Sequence, residues 1–140
     1  MTPIEAADRL FQRVMTAVET GDETTVGQFL PMALQAYELA RPLNADGTYH
    51  LATLQRAAVD FEGSLATAQE GLTEAPDHLL LLAAAGEASE GLGDMDAARL
   101  YWQHFLDAYE SERVRQLAEY EAHEFTLEES LTHAREVTGS

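Results

Sequence analysis

ADGTYHLATLQRAAVDFEGSLATAQEGLTEAPDH, residues 45–78, is answered 34 positions later by LLLLAAAGEASEGLGDMDAARLYWQHFLDAYESE, residues 79–112. Superposed, the two stretches set Ala52 on Gly86, Asp60 on Asp94, Phe61 on Met95, Ser64 on Ala98 and Leu72 on Leu106. Chemical class is kept where two packed helices need it. A period of this length marks a helix-turn-helix unit that stacks on its neighbours as a solenoid.

In the first unit the spacing predicts one helix over about 47–57, packing Leu51, Ala52 and Leu54, and a second after Asp60 carrying Phe61, Leu65, Ala68 and Leu72 inward. Pro76-Asp77 closes that unit. The second unit repeats the plan: a helix over 79–90, a Gly91-Leu92-Gly93-Asp94 turn, and a helix over 95–109. Upstream, Thr2-Pro3 with Glu5 reads as a capping box. Ile4, Ala7, Phe11, Val14 and Val18 follow as one apolar stripe, on a helix ending near Thr20. Gly21-Asp22 breaks and recaps the chain. A helix over 23–40 then faces Val26, Leu30, Ala33, Leu34 and Tyr37 inward, and Pro31 is expected to kink or break it. Beyond the second unit, Val114, Leu117, Ala118 and Glu121 suggest one more helix. Thr126 with Glu129 suggests a capping box for a last one through Leu127, Leu131 and Ala134. The chain therefore reads as a single all-α domain of about eight helices: an irregular pair over 1–44, repeats at 45–78 and 79–112, and a divergent pair over 113–138.

Charge narrows the choice of partners. With 25 acidic residues against 8 basic ones, the formal net charge is -17, and every basic residue is Arg. Nucleic acid and anionic membrane are disfavoured, because binding to phosphates relies on cations that displace counterions. The absence of Cys excludes disulfides, thiolate metal sites and a cysteine nucleophile. The longest apolar run, Leu79 to Ala85, is far shorter than the roughly 20 residues that span a bilayer. No secretory pattern occupies the first residues, so a soluble, cytoplasmic chain is expected.

The repeats resemble those of tetratricopeptide-repeat proteins. Residues 45–78 supply Leu51-Ala52, Asp60-Phe61, Ser64, Gly71 and Pro76 at the family's positions. Residues 79–112 supply Leu82, Gly86, Gly93-Asp94, Ala98 and Trp102. Phe105, Glu110 and Val59 depart from the pattern, where a small residue, Pro and Gly are usual. The resemblance implies a right-handed helical-hairpin solenoid. On physical grounds, small residues let paired helices approach while bulky ones fill the space between units, which assigns Trp102 to packing.

No arrangement of residues points to catalysis, a cofactor or a metal. His50, His78, His104, His123 and His133 form no HxxxH or HExxH pair, and solvated histidines are expected. His104 with Asp107 and His123 with Glu119 share helix faces, but two ligands are too few. Asp94-Met95-Asp96 lacks the oxygens of a calcium loop, Gly91 and Gly93 lack a phosphate-loop Lys, and no serine sits in an elbow motif.

In the family, the first helix of each unit lines a concave groove. Carried onto this chain, that implies a binding face of Tyr49, Thr53 and Arg56 in one unit and Ala83, Glu87 and Glu90 in the next. Lacking Lys, this face cannot form the cationic clamp with which relatives grip acidic tails. The expected function is a non-catalytic protein-protein interaction scaffold binding a basic or apolar peptide or helix. The alternative is a structural, self-associating homo-oligomer.

Overall fold

The computed structural model describes all 140 residues. The chain is all-α with eight helices: α1 Pro3–Thr20, α2 Glu23–Leu39, α3 Ala45–Ala57, α4 Phe61–Glu74, α5 Leu79–Gly91, α6 Met95–Arg113, α7 Ala118–Ala122 and α8 Glu124–Thr138. None is long and apolar enough to cross a membrane.

Three of the connections are one turn used three times. Gly21-Asp22, Val59-Asp60 and Gly93-Asp94 join α1 to α2, α3 to α4 and α5 to α6. Their first residues lie in the left-handed region, at φ 72°, 61° and 78°. In each, the Asp amide donates back to a carbonyl five residues earlier, on Ala17 (2.9 Å), Gln55 (2.9 Å) and Ser89 (3.0 Å). This closes the preceding helix as a Schellman motif does. The same Asp then caps the next helix, accepting from Thr25 N (3.1 Å), Gly63 N (2.9 Å) and Ala97 N (3.1 Å). The N-terminal pair is therefore built with the same joint as the two sequence repeats, and α1 with α2, α3 with α4 and α5 with α6 each pack as a hairpin.

Two apolar cores result. Ala7, Phe11 and Val14 of α1 meet Leu30, Ala33 and Tyr37 of α2 and Leu51 and Leu54 of α3. The larger core runs from Tyr49, Ala52 and Ala68 through α5 to Trp102, Phe105, Tyr120, Leu127 and Ala134. Trp102 is fully buried, as its packing assignment requires. A Cβ on Gly86 would lie 2.7 Å from its indole ring. The small residue midway along α5 is therefore what admits the large one from α6.

The structure narrows the sequence reading at one place and corrects it at two. Of the kink or break expected at Pro31, there is no break: α2 continues through it. Leu30 on one side and Ala33 and Tyr37 on the other are buried in the first core, and this packing outweighs the roughly 3 kcal/mol of an interior proline. After the second unit the chain does not begin a long helix near Val114. α6 continues to Arg113, Val114 is exposed, and Gln116 turns the backbone at φ 52°. Only the five residues of α7 follow, anchored by the buried Tyr120 instead of by Val114. α8 starts at Glu124, so Thr126 lies within the helix and does not cap it.

Candidate functional site

The six residues expected to line a groove are not an open face. Tyr49, Thr53 and Ala83 are buried, at 8%, 6% and 3% exposure. The consecutive stretches Gly47–Leu54 and Leu79–Gly86 are covered all round. Helix α5 begins Leu-Leu-Leu-Leu-Ala-Ala-Ala, and a helix apolar on every side is buried on every side. That composition was the available signal against an exposed first-helix face. Only Arg56, Glu87 and Glu90 keep access to solvent, and their groups already have partners. Arg56 pairs with Glu87 at 3.2 Å. Glu90 accepts from the Trp102 indole at 2.7 Å and lies 2.8 Å from His133 Nε2. Burial pushes the Glu87 carboxyl above its ordinary value even though Arg56 pulls it down.

The segment after α6 packs against the start of that face. Tyr120 of α7 accepts from the Leu79 amide at 3.0 Å, at the start of α5, and donates to the buried Glu112 at 2.6 Å. Glu119 lies 2.9 Å from His78 Nε2. His123, at the end of α7, packs edge-on against the Tyr49 ring of α3. The short helix thus rests across the N-terminal ends of α3 and α5.

This contact also brings Asp46, His50 and His123 into one polar cluster. His50 Nε2 and His123 Nε2 lie 3.1 Å apart. Asp46 Oδ1, one turn before His50 on α3, is 3.3 Å from the first nitrogen and 3.4 Å from the second. Behind His50, Tyr37 donates to Asp8 Oδ1 at 2.5 Å, and that oxygen is 3.2 Å from His50 Nδ1. The imidazole itself is stacked on Phe11, with ring centres 3.9 Å apart. Burial pushes the His50 imidazole below its ordinary value, against the nearby carboxylate of Asp46. Burial also opposes ionisation of Asp46, but the adjacent imidazoles outweigh it and hold that carboxyl low. The same surroundings raise the Tyr49 phenol to about 12, chiefly through burial.

The expectation of solvated histidines therefore fails for His50 and His78, which are buried, and for His123, which is largely so. Motif spacing could not find the cluster. Two of its members are 73 residues apart, and they meet only because α7 folds back over the repeats. No family model matches the chain, and no curated protein shows significant similarity to it.

Proposed function

We propose that the protein is a non-catalytic interaction module of tetratricopeptide type that takes a basic, partly apolar peptide or helix on its acidic outer surface. The observation that carries this reading is the distribution of charge. Of the 25 acidic residues, six pair with Arg and five more only contact His; the other fourteen, 25 less eleven, all occupy exposed positions. Five of the eight Arg are already engaged by acids of the same chain. The folded molecule therefore presents an uncompensated negative field, which steers cationic partners and repels further copies of itself. That repulsion ranks a basic partner above homo-oligomerisation.

α8 offers the best anchor within this field. Phe125 is 72% exposed, and Glu128 and Glu129 stand one turn further on, also exposed. An aromatic among carboxylates suits an amphipathic segment with Lys or Arg flanking an apolar face. This reading puts recognition outside the face that the family resemblance implies.

A Lys/Arg-rich amphipathic peptide tests this against a scrambled peptide of equal charge. Expected is tighter binding of the amphipathic form, weakened by salt as the screening length falls from about 10 Å at 0.1 M to about 3 Å at 1 M. It should weaken again in Phe125→Ser and in Glu128→Arg/Glu129→Arg. Binding indifferent to salt and to both variants overturns the proposal.

A further inference from the structure

We propose that Asp46, His50 and His123 form a binding site for one divalent transition-metal ion, zinc in first place, which ties α7 to α3. The inference is independent of the charged-surface reading and rests on geometry.

Asp46 Oδ1, His50 Nε2 and His123 Nε2 stand at the corners of a nearly equilateral triangle with sides of 3.1, 3.3 and 3.4 Å. A tetrahedral zinc ion holds imidazole nitrogen and carboxylate oxygen at about 2.0–2.1 Å, which requires ligand atoms roughly 3.3 Å apart. An octahedral ion at the same bond length draws cis ligands to about 3.0 Å. The triangle fits the face of a tetrahedron better. Two imidazoles with one carboxylate are also a donor set that suits zinc, and a fourth position stays open to water or a partner's side chain.

Without a metal, the cluster is poorly satisfied. Asp8 and Tyr37 lie against His50 Nδ1 at 3.2 and 2.9 Å. Placing the proton on Nδ1, toward Asp8, leaves Nε2 as a lone pair. The contact between the two Nε2 atoms then uses the single proton of His123. Asp46 Oδ1 is left buried with no hydrogen-bond donor, an arrangement that costs free energy. A cation inside the triangle would satisfy Asp46 Oδ1 and His50 Nε2 directly, and His123 Nε2 as well once the His123 proton passes to Nδ1.

The surroundings are those of a prepared site. Asp8 behind His50 supplies the carboxylate-histidine pairing that fixes tautomer and ring orientation at metal centres. Phe11 stacks on His50, and the Tyr49 ring abuts His123. Because Asp46 and His50 belong to α3 while His123 ends α7, an ion here would clamp the C-terminal segment across the repeats.

The test uses the full chain stripped with a chelator and dialysed. Zinc chloride is titrated by calorimetry and Co(II) by visible absorption. Expected are saturation at one equivalent per chain, a higher unfolding temperature with zinc, and the d–d bands of tetrahedral Co(II). Asp46→Asn and His123→Gln should each abolish the one-equivalent binding. Asp8→Asn should weaken it about 10- to 100-fold, and His104→Gln, at an exposed histidine remote from the triangle, should leave it unchanged. Circular dichroism confirms that the variants fold, and Asp46→Asn, on a partly exposed side chain, serves if His123→Gln does not. Absence of saturable binding, octahedral Co(II) spectra, or equal binding by folded Asp46→Asn overturns the site.

Discussion

Val59 shows how far one residue can depart from its neighbours' solution to the same problem. It stands 34 residues before Gly93 and shares its left-handed backbone, at φ 61° against 78°. A β-branched side chain there is crowded by its own backbone. The conformation is retained because Asp60 must still turn back to Gln55 and cap α4. Val59 is 70% exposed, so removing its side chain forfeits no core packing. Val59→Gly should raise stability by about 1 kcal/mol, the strain relieved less the entropy glycine loses on folding. Urea unfolding measures it, and a destabilised variant would show that the turn is not held in this conformation. Glu87 gives a second test at this scale, through pH. Its carboxyl is raised above 4.5 in the folded chain, so between 4.5 and that raised value the native state binds more proton than the unfolded state. Stability assigned to this group is thus present at low pH and lost as pH rises. Glu87→Gln should gain on the wild type between pH 4 and pH 8 in urea midpoints. A difference independent of pH would contradict the raised carboxyl of Glu87.

Among the elements, α7 has the largest effect for its size. Five residues long, it could not be stable alone, and it is held by side chains reaching to α5, α6 and α3. The central link is the Tyr120 hydroxyl, between the Leu79 amide and the Glu112 carboxylate. Tyr120→Phe leaves both groups buried without that partner and should cost about 1–3 kcal/mol. Hydrogen exchange should quicken first at Leu79 and within α7. A neutral substitution would mean that α7 is held elsewhere. The repeat helices were legible from sequence because their register is written twice, in Asp60 and Asp94 and in Ser64 and Ala98. The first hairpin was partly legible, through Gly21-Asp22. α7 was not, since its anchor depends on partners roughly 40 residues distant, Leu79 among them, and no local period encodes such contacts. At Pro31 local propensity allowed either a kink or a break, and burial on both sides of the proline excludes the break.

For the molecule as a whole, the main consequence of the fold is that the first-helix face is closed. The six residues carried over from the family pattern are divided, with Tyr49, Thr53 and Ala83 inside and Arg56, Glu87 and Glu90 engaged with one another or with α6 and α8. Sequence periodicity located α3 and α5 correctly but could not tell an open face from a closed one. The unbroken apolar run of α5 was the one hint. A direct measurement follows from the absence of cysteine in the chain. A single thiol placed at Thr53→Cys can be labelled under native conditions and compared with one at Val59→Cys, on the same hairpin. The account predicts slow labelling at position 53, limited by opening of the structure, and fast labelling at position 59. Equal rates at the two positions would contradict it, because the first-helix face would then be an open groove.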